Sequence, residues 1–283
     1  MSYKINGVTL KSKRLQKLLG TLVILGVLPA CVGGGHVDIG VAPRHVFLIV
    51  MENHSADEAL SGRFTASLAA KYGVANNYHA VSHPSVPNYL ALTSGSTWGL
   101  HDDSYHVLPK QDLGTQLTAA GVSWRAYMEG LGGGGCLDSP VPYDPGHNPF
   151  AYYGGSCPAN VVPLTALARD LAGSTPRFTW VTPDMCHDTH NCPVTTGDQW
   201  LAQIVPQITS SAAWKSNGVL FITWDEDDGS ADNRVLTLVI ASVQHRQSNA
   251  AYDHYSLLAT IEDLIGVGRL GAAAKAHPMR DLL

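Results

Sequence analysis

Short apolar runs punctuate this chain, each bounded by polar or turn-forming residues. The clearest are His45-Val46-Phe47-Leu48-Ile49-Val50-Met51 and Val219-Leu220-Phe221-Ile222-Thr223-Trp224. Both are continuously apolar and rich in β-branched or aromatic residues, as expected of strands buried on both faces. Further strand-like runs cover 122–127, 178–182 and 235–241. Between them, helical periodicity predicts helices over 64–72, 87–94, 112–120, 163–172, 198–212 and 255–265. The helix at 163 would open on Pro163 and close near Gly173, a start-and-stop pair that suits helix termini. Alternation of strands and helices predicts an α/β fold with a mainly parallel sheet. The segment 129–161 is dense in Gly, Pro, Tyr and Cys and reads as a long disulfide-pinned loop, a lid or substrate wall. No internal repeat and no linker divides 44–283, which predicts one domain there.

The first thirty residues change the picture of where the protein works. They carry Lys4, Lys11, Lys13, Arg14 and Lys17 and no acid, followed by an apolar stretch from Leu18 to Leu28. That stretch is too short to predict a spanning helix and reads as a signal segment over 1–30. It ends Leu28-Pro29-Ala30-Cys31, where a small residue before a cysteine fits a lipoprotein cleavage box. Cys31 would then carry a lipid anchor ahead of a short linker over 31–43; ordinary signal-peptidase cleavage is the competing reading. Either way the protein is expected to be exported: periplasmic, anchored in the outer membrane, or extracellular. Taking the five leader bases from the 18 Lys and Arg leaves 13 against 23 Asp and Glu, a net charge of −10. An acidic chain of this kind argues against a nucleic-acid partner. Four cysteines follow Cys31, and export together with sequence proximity predicts Cys136–Cys157 and Cys186–Cys192 disulfides.

Candidate chemistry gathers at the strand ends. The first run stops at Glu52-Asn53 and the second at Asp225-Glu226. Ligands in open α/β sheets bind at the carboxyl ends of strands. If the two strands are neighbours, three carboxylates and an amide converge, an arrangement that is costly without a cation. Glu, Asn, Asp and a serine oxygen are hard ligands suited to Ca²⁺, Mg²⁺ or Mn²⁺, and histidine participation would favour Zn²⁺.

Three further stretches add to the candidates. Ser85, in His83-Pro84-Ser85-Val86-Pro87-Asn88-Tyr89, is expected just ahead of a helix that opens at Pro87 and ends at Gly95. That place offers free N–H groups for an alkoxide or phosphate, although serine is also a common helix cap there. Asp184, Asp188 and His190 lie within one loop that the Cys186–Cys192 bridge would pin, and a plain surface loop is the alternative. Asp253-His254-Tyr255 precedes an amphipathic helix, where a histidine is more often structural. Familiar motifs are missing: no GxSxG elbow, no Walker A and no HExxH. Gly266–Gly271 matches GxGxxG but follows a helix near the chain end, where no βαβ unit fits.

Taken together, Met51–Ser55, His83–Gly95, Pro183–His190, Gly197–Leu201, Thr223–Gly229 and His254–Leu258 resemble the phosphoesterase family that joins bacterial acid phosphatases and phospholipases C. The resemblance is greatest to its short secreted acid phosphatases, a group that includes a phosphoinositide phosphatase. It implies an alkaline-phosphatase-like three-layer sandwich over 44–283. It also implies one divalent cation on Glu52, Asn53, Ser85, Asp225 and Glu226, with Ser85 as a metal-activated nucleophile passing through a phosphoserine. Asn88 would hydrogen-bond a phosphoryl oxygen. Asp184, Asp188, His190 and His254 would bind phosphate and move protons, or complete a second metal site. Asp184 departs from the family pattern, where Asn is expected. Substrates implied are phosphate esters, either small molecules or lipid headgroups. The leading expectation is an acid phosphatase. The alternatives are a phospholipase C or other phosphodiesterase, and a non-catalytic surface lipoprotein stabilised by calcium.

Overall fold

A computed structural model describes residues 45–283 apart from Ala231, Val243 and Gln244. The predicted leader, linker and Cys31 anchor therefore lie outside the described residues. Among the described residues ten strands form: β1 (His45–Met51), β2 (Gly73–Ala75), β3 (Tyr78–His79), β4 (Trp124–Met128), β5 (Val161–Pro163), β6 (Phe178–Thr182), β7 (Gly218–Trp224), β8 (Thr237–Ile240), β9 (Gln247–Ser248) and β10 (Tyr252–Asp253). Eight of them make one sheet in the order β5-β4-β6-β1-β7-β8-β2-β9. Pairing is parallel from β5 through β7, and β8 runs antiparallel to both of its neighbours. The remaining two strands, β3 and β10, pair parallel to each other.

The continuous apolar runs became the two central strands, as two-sided burial requires. From Val46 to Met51 no residue of β1 is more than 1% exposed. β1 and β7 stay in register from His45 opposite Gly218 to Met51 opposite Trp224. The next residues, Glu52 and Asp225, therefore leave the sheet side by side, and the Asp225 N–H still donates to the Met51 carbonyl at 3.0 Å. β6 lies on the other side of β1, so Pro183 and Asp184 emerge next to Glu52.

Helices flank the sheet. The helix Ser85–Ser94 packs against His254–Ile265, and Arg63–Lys71 packs against Val194–Ser210. Gly95 ends the first of these at φ 68°, and a Cβ there would sit 2.3 Å from the Leu270 carbonyl oxygen. Only glycine serves both that left-handed turn and that close approach.

Several elements differ from their expected form. Pro163 is the last residue of an edge strand, not a helix opening; the α-helix there runs Leu167–Ala172, still stopped by Gly173. Proline on an edge strand withholds no ladder donor that a neighbour needs. The 129–161 segment is no open lid. It carries a helical turn at Gly135–Asp138 and 3₁₀ turns at Pro145–His147 and Pro149–Ala151, and it buries Tyr143, Phe150, Tyr152 and Tyr153. Both expected disulfides form, Cys136–Cys157 and Cys186–Cys192. Among the described residues no helix is long and apolar enough to cross a membrane.

Candidate active site

Ser85 is the first residue of its helix, not the residue ahead of it, and Pro84 takes the cap position. Its hydroxyl does not cap the helix. It donates instead to Glu52 Oε1 and to Glu226 Oε1, the latter at 2.9 Å. The serine thus joins the two strand-end pairs, which come from β1 and β7. Asn53 makes the turn after β1 at φ 60°, a conformation asparagine tolerates better than most residues, and its N–H donates to Asp225 Oδ1 at 3.3 Å. Tyr89, one turn past Ser85, donates its phenol to Glu52 Oε2 at 2.9 Å.

Three carboxylates are buried here: Glu52, Asp225 and Glu226. Burial pushes the carboxyls of Glu52 and Asp225 well above the usual carboxylate range. The charge of Asp188 adds to the rise at Glu52, and the charge of Glu52 adds to it at Asp225. Burial also raises Glu226, against the hydrogen bonds from Ser85 and His83. Asp225 Oδ2 is fully buried and has no hydrogen-bond partner among the described residues. An unpaired buried carboxylate oxygen costs several kcal/mol by order of magnitude unless a positive charge meets it. Glu52, Asp225 and Glu226 each offer an oxygen within 4.8 Å of the others. This donor set fits a hard divalent cation, with Asp225 Oδ2 the oxygen most in need of one.

A second shared cluster was not foreseen. His147 is brought from the 129–161 segment into the site. Its Nε2 lies 3.3 Å from Glu52 Oε2 and its Nδ1 lies 3.1 Å from Asp188 Oδ2. The ring stacks on Tyr89 with centroids 5.2 Å apart and planes at 9°. Burial alone would lower the pKa of His147, but the hydrogen bond and charge of Asp188, with the charges of Asp144 and Asp225, outweigh it and raise it. His83 was also missed. Its Nδ1 bonds Glu226 Oε2 and its Nε2 bonds the Ser230 carbonyl. Burial pulls His83 down, and Glu226, with the Ser230 carbonyl and the Asp227 charge, more than restores it.

The other expected residues have different places. Asn88 is not free for a phosphoryl oxygen. Its carbonyl accepts from the Val81 and Ser82 N–H groups, and its amide donates to the Ser82 and Pro84 carbonyls. It shapes the turn that carries Ser85. His254 is fully buried behind the site, with Nδ1 on the Tyr78 hydroxyl and Nε2 on the Asp225 carbonyl. Burial lowers it to about 4, so it is neutral and has no nitrogen left for phosphate. Asp188 is buried too, spending one oxygen on the His190 N–H and the other on His147, so it meets no anion directly. Asp184 turns back into its own loop, accepting from the Cys186 and His187 N–H groups at 3.0 Å. His190 is exposed near the rim, its ring 5.9 Å from that of His147. Tyr89 was missed as well, although its i+4 spacing from Ser85 on one helix face was a signal that could have found it. His147 had no local signal, because only the folded course of its segment brings it to Glu52.

Known proteins share this architecture. A protein in the alkaline phosphatase superfamily from Vibrio parahaemolyticus superposes with a TM-score of 0.60 at 13% identity, over 85% of this chain and 72% of its own. The fold is that of the alkaline phosphatase superfamily. In sequence, the phosphatidylinositol-3-phosphatase of Mycobacterium tuberculosis is 30% identical, over 98% of this chain and 99% of its own length. An acid phosphatase of Aspergillus fumigatus is 26% identical over 82% of this chain, which spans only 57% of that longer protein. The phosphoesterase family model matches residues 61–268, and the chain belongs to that family. It is a phosphoric ester hydrolase, which sets aside the non-catalytic calcium-binding alternative.

Proposed function

We propose that this protein is an exported acid phosphatase that cleaves phosphomonoesters, phosphoinositides among them, with Ser85 as nucleophile and a phosphoserine intermediate. The observation that carries the reading is the Ser85 hydroxyl held between Glu52 and Glu226 beside the unpartnered Asp225 Oδ2. Glu52, Asn53, Asp225, Glu226 and the Ser85 oxygen would hold one divalent cation. When bound, it supplies charge stabilisation for the phosphoryl group and lowers the pKa of the serine hydroxyl. Ser85 is aimed before substrate arrives, because both of its acceptors are held in place. Tyr89 and His147 fix Glu52, and His83 fixes Glu226. Attack by Ser85 Oγ forms the new P–O bond as the bond to the leaving alcohol breaks, and the serine proton passes to a carboxylate. His190, exposed at the rim, is the imidazole that would return a proton to the alcohol. Water then attacks phosphoserine and restores the hydroxyl. His83 and His147 are both raised by the carboxylates they face, which keeps positive charge in the site at acid pH and suits an acid optimum. Two disulfides fit an oxidising compartment.

The test is hydrolysis of p-nitrophenyl phosphate and a phosphoinositide by the wild type and by Ser85→Ala. A fall in kcat of at least about 10³ is expected, as for loss of a principal catalytic group. Retained activity would remove Ser85 from the reaction. Faster turnover of phosphatidylcholine than of any monoester would instead make the protein a phospholipase C.

A further inference from the structure

Glu129, Asp184 and His187 meet where β4 ends beside the disulfide loop. Glu129 follows directly on β4, and its N–H donates to the Thr182 carbonyl at the end of β6 at 2.9 Å. Asp184 and His187 come from the loop after β6. His187 Nδ1 lies 3.0 Å from Glu129 Oε2 and 3.5 Å from Asp184 Oδ1. One donor atom from each of the three lies within 4.8 Å of the other two. Ligands on a tetrahedral ion with bonds of about 2.0–2.1 Å stand about 3.3 Å apart, so these spacings bracket the edge of such a coordination sphere.

The donors are also held and accessible. The Cys186–Cys192 bridge closes the loop, and the His187 ring stacks on Trp200 with centroids 6.3 Å apart at 25°. Asp184 is buried, whereas the Glu129 and His187 side chains keep 21% and 39% of their exposure. They border a cavity of about 240 Å³ that also touches Trp200, Gln199 and Gln203. An ion can therefore enter from solution and keep water on its open side. Two carboxylates and one imidazole suit a borderline divalent ion better than a hard one.

We propose that Glu129, Asp184 and His187 form a divalent transition-metal site, for Zn²⁺ or a similar ion, separate from the cation site at Ser85. A cation there ties the end of β4 to the loop whose Asp188 carbonyl receives the Glu52 N–H at 2.9 Å. The site thereby braces the wall of the reaction centre without touching substrate. It does not depend on the catalytic reading of Ser85.

The test is zinc binding alone, measured by equilibrium dialysis and elemental analysis of chelator-stripped full chain. Wild type, His187→Asn, Glu129→Gln and Asp225→Asn are compared, each shown folded by metal-free circular dichroism. The wild type should hold about one zinc equivalent more than either His187→Asn or Glu129→Gln. Asp225→Asn should retain that equivalent. Cobalt substitution should give a visible absorption band that His187→Asn removes. Equal zinc content in wild type, His187→Asn and Glu129→Gln would overturn the site and leave an ion-paired imidazole. Loss of the Ser85-centred equivalent in Asp225→Asn is read separately, so failure of one site does not mimic failure of the other.

Discussion

Replacing Glu262 by glutamine should remove a pH-dependent weakness from the wall of the active site. Glu262 lies on the helix His254–Ile265, whose first residue holds the Asp225 carbonyl. The residue is fully buried; Oε1 accepts the Leu270 N–H at 2.8 Å, and Oε2 has no partner among the described residues. Burial raises its pKa from 4.5 to about 8, against smaller lowering effects of the Leu270 amide and the Arg269 charge. The folded state therefore holds a proton that the unfolded chain releases between those two values. Stability is fully present below about pH 4.5, falls as pH rises through this window, and is lost above the folded value. The shift of roughly three and a half pH units corresponds to at most about 5 kcal/mol at 1.36 kcal/mol each. Relaxation around the charged group reduces this to roughly 2–5 kcal/mol. Glutamine keeps the acceptor for Leu270 and cannot ionise. Thermal melts at pH 5 and pH 9 test the reasoning. The variant should match the wild type within about 1 kcal/mol at pH 5, and melt higher at pH 9 by roughly 5–15 °C. A wild-type-minus-variant difference that is the same at both pH values would refute the buried-proton account.

Two further outcomes follow from the site itself. His147→Asn should lower kcat by about 10–100-fold with little change in KM, as loss of a group that orients a metal-binding carboxylate does; an unchanged kcat would mean that Glu52 needs no such support. Asn88→Ala leaves the Val81 and Ser82 N–H groups without their acceptor, so denaturant unfolding should show a loss of about 2–4 kcal/mol. A variant as stable as wild type would show that water replaces the amide.

Much of this architecture was legible because it rests on local pattern. Two-sided burial wrote β1 and β7 as unbroken apolar runs, and the register between them then set Glu52 beside Asp225. The helix that carries Ser85 was legible from Pro87 and Gly95, although it opens two residues earlier than expected, and the disulfides were legible from their spacing. What failed was placement in three dimensions. Asn88 and His254 have residue types that suit phosphate, but backbone groups claim every polar atom of their side chains, together with the Tyr78 hydroxyl at His254. His147 is the converse case. It sits in a Gly- and Pro-rich segment with no periodicity, and long-range packing alone carries it between Glu52 and Asp188. Strands of two or three residues, such as β9 and β2, leave too little pattern to read.

The central claim is that Ser85 is phosphorylated during turnover. The stereochemical course at phosphorus tests it most directly, using an isotopically chiral phosphomonoester and transfer to an alcohol acceptor. Two in-line displacements, first by Ser85 and then by the acceptor, predict net retention of configuration. Net inversion would mean a single direct attack on phosphorus and would contradict the account.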